Sequence, residues 1–481
     1  MGANREILVN LLFCLSMLLE RPNRFLLRLF FLFVPFLSLS TSPHAQQTTV
    51  SPDPPAAPRN NPEFLATADE VLHDMSEITG WKLKSPLKKS IRSREEIHAY
   101  ILRQMNDEKD AKERYASTRS AEAFGLIPRG FNLEGFLVDL LTEQIAGLYD
   151  PKDHEFYIAD WIAPEEQRMV MSHELTHALE DQHFNIEPWV KAARPNDDAE
   201  LARESVLEGS AMAAMLEYVL KDKGLKLRDL PDIDPSLFIG DLGQTPQLKK
   251  APPFIKDSLT FPYFSGLTFS MNILKTDNWR GFSAVFDRPP ANTQQILHPE
   301  VYRSNRVPVL LKLGLPEHFL DASWIRLEEN SLGEFGWLEV LKQFLDEDHA
   351  KKLSVAWDGD IYATFEQKES KRTLLATHIR LADAETAARF FGQYSEVLEL
   401  KHDKRANLLR QPNFFSFNTL EGGVFLRCQG RECITLEGGD RPLFLQWLKS
   451  LGWSGLPDDP QKSRTEIKTT ALRNALQPGD N

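Results

Sequence analysis

His173-Glu174-Leu175-Thr176-His177 carries more chemistry than any other stretch of this chain. Its flanks place it on a helix. Val170, Met171, Leu175, Ala178 and Leu179 form an apolar stripe with helical spacing. Pro164-Glu165-Glu166 suits a helix start, with carboxylates at the positive end of the dipole. The expected helix runs from about 164 to 184. Histidines four residues apart share one helix face, so both imidazoles can reach one metal ion. Zinc takes such nitrogen ligands readily. Glu174 lies beside the open side of that ion, where a carboxylate can take a proton from water. The pattern H-E-x-x-H therefore proposes a zinc hydrolase that cuts peptide bonds. Chance produces it in about one chain in a hundred of this length. The bland alternative is a surface helix with a His-rich polar face. The apolar residues on both flanks argue against that, because a buried helix needs a reason to tolerate two imidazoles and a carboxylate.

A catalytic zinc usually takes three protein ligands and a water. Three residues compete for the third place. Glu208, in Leu207-Glu208-Gly209-Ser210-Ala211, lies on the next expected helix, Ala199 to Leu220. Glu204 lies one turn earlier on the same face, and His183 lies ten residues after His173. His183 has metzincin-like spacing, but that pattern needs a glycine to turn the chain, and Glu180 stands there instead. On a continuing helix His183 is rotated about 240° from His177 and points away from the metal. Glu208 is the preferred ligand because its Glu-Gly-x-Ala run resembles the run that supplies the third ligand in zinc aminopeptidases; it would complete a His2Glu set of the gluzincin type. Glu204 then orients a ligand histidine, or exchanges roles with Glu208. Tyr263 and His298, in loop runs downstream, are candidate donors to the oxyanion, each with packing as the competing role. Tyr149 is a weaker candidate.

The net charge of −13 argues against nucleic acid and anionic membrane surfaces as main partners. Arg21, Arg24 and Arg28 precede the apolar run from Leu29 to Leu37, and a small, polar stretch ends at Ala45. That order is the order of a secretory signal. Residues 1–45 are read as a signal peptide or an N-terminal anchor, and membrane contact is expected only through this segment. An exported protein, periplasmic or extracellular, follows. Beyond it only Cys428 and Cys433 remain, bracketing a four-residue turn between expected strands. A disulfide across that hairpin suits an oxidising compartment.

Residues 46–62 are polar and proline-rich and read as a disordered linker. Residues 63–135 read as a helical region, with a capping box at Ser93-Arg94-Glu95-Glu96. Gly147 to Pro151 reads as a turn and His154 to Ala159 as a strand, the sheet edge on which an extended peptide lies. The chain from 225 to 260 reads as loop. Phe261-Pro262-Tyr263 then leads into a helix from Leu267 to Leu274. Strands are expected at 355–366, 373–381, 414–417, 423–427 and 434–436, and helices at 384–398 and 443–451. Residues 306–455 thus form an α+β module, and 456–481 a disordered tail.

Several runs carry a family resemblance. They are Gly147-Leu148-Tyr149-Asp150-Pro151, His173 through Phe184, Leu207 through Ala211, Phe261-Pro262-Tyr263 and Gln295-Ile296-Leu297-His298-Pro299. Leu332 through Phe335 and Trp357 through Tyr362 belong with them. In these runs the chain resembles an exported bacterial group of gluzincin-like zinc metallopeptidases of the peptidase MA type, over about residues 130–365. It departs at Glu180, where glutamine is expected, and at Ser210, where an acid is common. The resemblance implies an α+β fold: a mainly helical, zincin-like domain over 136–305 with a short edge strand, followed by the smaller module. It implies Zn²⁺ held by His173, His177 and Glu208, Glu174 as general base, and a peptide or protein substrate. It lends no substrate identity. The alternative is a non-catalytic envelope scaffold whose zinc site is structural or vestigial.

Overall fold

The computed structural model describes residues 61–105, 108–229 and 246–453. The expected signal, nearly all of the linker and the C-terminal tail lie outside them. The chain is mixed α+β and divides into two units. Of the described residues, the first holds those up to Pro308 together with Asn330–Gln343, and the second holds Val309–Glu329 and those from Phe344 onward.

In chain order the first unit opens with α1 (Pro62–Thr79), β1 (Lys88–Arg92), α2 (Arg94–Met105), α3 (Glu108–Phe124) and α4 (Leu133–Gln144). Then come β2 (Gly147–Asp150), β3 (Glu155–Ala159), α5 (Pro164–Phe184), α6 (Ile186–Lys191) and α7 (Asp197–Lys221). α8 (Pro253–Phe282), α9 (Ala284–Asp287), α10 (Thr293–Leu297) and α11 (Pro299–Arg303) follow. β4 (Trp324–Asn330) leads to α12 (Gly333–Lys342), which returns to this unit. The second unit continues with α13 (Glu347–Ser354), β5 (Trp357–Gln367), β6 (Thr373–Leu381) and α14 (Ala384–Lys401). It closes with β7 (Ala406–Gln411), β8 (Phe414–Thr419), β9 (Gly422–Gln429), β10 (Glu432–Gly439) and α15 (Arg441–Ser450).

Local chemistry explains many of the boundaries. Asn61 accepts a hydrogen bond from the Glu63 N–H at 3.0 Å, and Pro62 occupies the first helical position of α1. The end of the expected linker is therefore already helix. At α2 the Ser93 Oγ accepts from the Glu96 N–H while Glu96 Oε2 accepts from the Ser93 N–H, a reciprocal capping box. α5 begins on Pro164 and ends on Asn185, which adopts the left-handed conformation at φ 52°.

Four expectations are corrected. The region read as helical contains β1, which pairs in parallel with β3. Its sequence, Lys-Lys-Ser-Ile-Arg, has one apolar residue, so the strand exists through pairing rather than through its own pattern. Residues 147–150, read as a turn, form β2, antiparallel to β3. The sheet order is β1-β3-β2. The stretch 154–159 is thus the central strand and cannot serve as an edge; the edge beside α5 is β2. Finally, 253–282 is helical on both sides of a kink at Asn278 (φ 53°), and Phe261-Pro262-Tyr263 lies inside the longer, first part. Proline costs that helix a backbone hydrogen bond, but Phe254, Ile255, Leu259, Phe264, Leu267 and Phe269 around it are buried. Packing outweighs the local penalty.

The second unit is built on a seven-stranded antiparallel sheet, β4-β5-β6-β10-β9-β8-β7. Phe365, Leu374, Phe425 and Leu436 on one face bury against Phe444 and Trp447 of α15. α14 packs across β6, β9 and β10 on the other. Cys428 and Cys433 face each other across β9 and β10 and form a disulfide. The flanking strands at 324–330 and 406–411 were not read from sequence. They are edge strands with mostly exposed or half-buried side chains, so neither shows a clean apolar alternation. Among the described residues, no helix is long and apolar enough to cross a membrane.

Glu437 is buried in this unit and accepts hydrogen bonds from Lys401 Nζ at 2.8 Å and His402 Nε2 at 2.7 Å. Burial alone would raise its carboxyl, but Lys401 and His402 hold it down at about 2. A depressed carboxyl stabilises the fold above its ordinary value of 4.5, and that share is lost as pH falls toward 2. Glu437→Gln leaves the half-buried Lys401 without its carboxylate, so it should cost about 3 kcal/mol at pH 7 by urea denaturation. The gap to wild type should narrow as pH falls below about 4.5 and close toward pH 2; a gap that does not change with pH would refute the assignment.

Candidate metal centre

α5 and α7 are buried along the segments that matter. Every residue from Val170 to Asp181 is buried, as is every residue from Glu204 to Leu216. A helix buried all round should be apolar. These two instead carry His173, Glu174, His177, Glu180 and Asp181 on one, and Glu204, Glu208 and Ser210 on the other.

Their side chains converge. His173 Nε2 lies 3.1 Å from Glu208 Oε2, His177 Nε2 lies 3.2 Å from His173 Nε2, and His177 Nε2 lies 3.6 Å from Glu208 Oε2. These three atoms form the one cluster of histidine, cysteine or acidic side chains among the described residues that could hold a metal ion. Bonds of about 2.0–2.1 Å in a tetrahedron place ligand atoms about 3.3–3.4 Å apart. The observed triangle brackets that spacing, and two imidazoles with a carboxylate suit zinc. His183 is elsewhere: its Nε2 lies 2.8 Å from the Lys82 carbonyl oxygen. Glu204 is buried one turn from Glu208 but is not one of the three.

Burial and neighbouring groups pull against each other at these side chains. Burial disfavours charge on His177, yet hydrogen bonds to Glu180 and Glu208 raise its pKa to about 10. Burial likewise pushes the Glu208 carboxyl up, and the two histidines pull it down to about 2. For Glu180, burial wins and the carboxyl is raised.

Glu174 faces β2. Its Oε2 accepts a hydrogen bond from the Tyr149 N–H at 2.9 Å. Ala146, three residues before Tyr149, turns its carbonyl toward β3, and strand alternation turns the backbone of Tyr149 the other way. Tyr149 is tied to α5 a second time: its hydroxyl donates to Asp181 Oδ2 at 2.7 Å. Burial and the neighbouring Asp181 carboxylate raise that phenol, and His154 Nδ1 lies 3.0 Å from the same oxygen. Gly147 is needed for close approach rather than for a turn, since a Cβ there would meet Val170 Cγ1 at 2.5 Å.

α8 covers the cluster from the third side. The Tyr263 ring stacks near His173, with centroids 6.2 Å apart, and is fully buried. It sits on a helix, not on the loop expected for it. The helix reaches this position because Gly209 of α7 and Gly266 of α8 meet backbone to backbone. A Cβ on Gly209 would lie 2.1 Å from the Gly266 carbonyl, and one on Gly266 would lie 2.1 Å from the Ser205 carbonyl oxygen. His298 is not drawn into this group; its Nε2 is 2.8 Å from Glu334 Oε1. Asp181 and the Tyr149 N–H went unread in the sequence. Asp181 had a signal, lying four residues after His177 on the same helix face; the backbone contact had none.

Residues 323–441 match a family described as a domain of unknown function (DUF8575). The match covers β4, α12 and most of the second unit. No curated protein and no solved structure matches the chain.

Gly209→Ala and Gly266→Ala should each cost roughly 1–3 kcal/mol through overpacking. Gly392→Ala, in α14 with open space around it, should stabilise by about 0.5–1 kcal/mol. Equal thermal shifts in all three variants would contradict the helix contact described.

Proposed function

We propose that this protein is an exported, zinc-dependent metallopeptidase with a zincin-like catalytic domain of the gluzincin type. The observation that carries the reading is the convergence of His173, His177 and Glu208, with Glu174 adjacent on the same helix. Zinc held by those three side chains would polarise the scissile carbonyl and acidify a bound water.

The protein's own groups account for the remaining steps. Glu174 accepts the proton of the attacking water on one carboxylate oxygen while the Tyr149 N–H holds the other. It then returns that proton to the departing amine. An extended peptide would pair along β2, the outer strand beside α5. Tyr263, buried against His173, is the better placed of the candidate donors to the oxyanion. His298 is held by Glu334, and the Tyr149 hydroxyl is spent on Asp181. The Cys428–Cys433 disulfide supports an oxidising compartment.

The competing reading is a structural zinc site in a scaffold protein. It needs a fourth protein ligand, and His183, the nearby candidate, points to the Lys82 carbonyl instead. A structural site would also not require a carboxylate, Glu174, beside the ligand His173.

Purified protein should hold about one zinc per chain by mass spectrometry, retained in His183→Ala and lost in Glu208→Ala. Glu174→Gln should keep the metal and lower peptide hydrolysis by about 10²–10⁴-fold. Properly folded wild type without metal would defeat the reading, as would full activity in Glu174→Gln. Tyr263→Phe should lower kcat by about 10²–10³-fold with little change in KM; an unchanged kcat would remove Tyr263 from the mechanism.

A further inference from the structure

Glu180 is a fully buried carboxylate that the proposed reaction does not use. It follows His177 by three residues, so both side chains lie on one face of α5. Its Oε2 is 2.9 Å from His177 Nδ1, the ring nitrogen opposite the one that faces Glu208 and His173. Its Oε1 accepts a hydrogen bond from Ser210 Oγ, on α7 two residues beyond Glu208. Ser210 has one proton and alternative acceptors in its own helix, the Val206 carbonyl at 2.8 Å and the Leu207 carbonyl at 3.0 Å. A carboxylate is the stronger acceptor, so the proton belongs to Glu180.

We infer that Glu180, steadied by Ser210, is a positioning pair that fixes the ring orientation and tautomer of His177 for metal binding. The inference rests on the metal-binding reading above. The physical reason is that the two imidazole nitrogens lie on opposite sides of one ring. An acceptor on Nδ1 keeps the proton there, leaves the Nε2 lone pair for an ion, and makes that nitrogen a better donor. The acceptor is one helical turn away on the same rigid element, so it constrains rotation of the ring as well as its protonation. Ser210 adds a second effect. It ties the helix with both histidines to the helix with Glu208, through a bridge that starts at a ligand ring. The three ligand atoms are thereby held at their separation by side chains that never touch the ion.

The test uses the full chain and Zn²⁺, with affinity read by competition against a chromophoric chelator. Glu180→Gln keeps an acceptor for Nδ1–H but loses the charge, and should weaken zinc binding by roughly tenfold. Glu180→Leu removes both links and should weaken it by about 10–100-fold. Ser210→Ala should fall between wild type and Glu180→Gln. In cobalt-substituted protein, proton NMR should show exchangeable ring N–H signals from both ligand histidines in wild type and Glu180→Gln. One of these should be lost or broadened in Glu180→Leu. A merely structural role for Glu180 would shift the denaturation midpoint and leave affinity and the N–H signals alone. Should Glu180→Leu fail to fold, Glu180→Gln and Ser210→Ala decide by the same readouts. Unchanged affinity and intact N–H signals in the folded variants would overturn the inference. Absence of zinc binding in wild type would instead overturn the metal-binding reading beneath it.

Discussion

Five buried ionisable side chains on two helices set the terms for the first unit. His173, Glu174, His177, Glu180 and Glu208 are each at most 1% exposed. Isolated charges in such surroundings are costly, so each must be answered by another group. The answers are local and mutual: two imidazoles against Glu208, Glu180 against His177 and Ser210, and Glu174 against the backbone of β2. A bound cation of the proposed kind would give the histidines and Glu208 a common partner.

The surrounding architecture follows from keeping that cluster tight and enclosed. β2 is drawn against α5 by both the N–H and the hydroxyl of Tyr149, which makes it the edge strand that meets the site. α8 can lie over α7 only because glycines face each other at the crossing, and that crossing sets Tyr263 beside His173. The second unit shows the same rule at a smaller scale, with Glu437 buried between Lys401 and His402 behind a sheet otherwise filled with apolar side chains.

Glu180 and Ser210 lie thirty residues apart in the sequence. In the structure they touch. Ser210 donates one hydrogen bond to Glu180 beside His177. The same spacing argument that joined His173 to His177 could have joined His177 to Glu180, because both rest on the helical repeat. Its continuation to Ser210 crosses between helices, and no periodicity reports that.

The sequence by itself determined the elements whose signal is carried within one turn or one strand. The helix from Pro164 to Phe184, the shared face of the two histidines, the capping box at Ser93 and the strand at Thr373–Leu381 all belong here. Their causes are the helical repeat, end chemistry and alternation, which act over a few residues. Tertiary structure alone decided which strand is the edge, since β1 and β2 exist by pairing with β3 rather than by apolar pattern. It decided that Pro262 lies inside a helix, because burial of the flanking residues outweighs a lost hydrogen bond. It also decided which acidic residue meets the histidines. Glu204 and Glu208 are equivalent on a helical wheel, and only the height at which α7 packs on α5 brings Glu208 to their ring nitrogens.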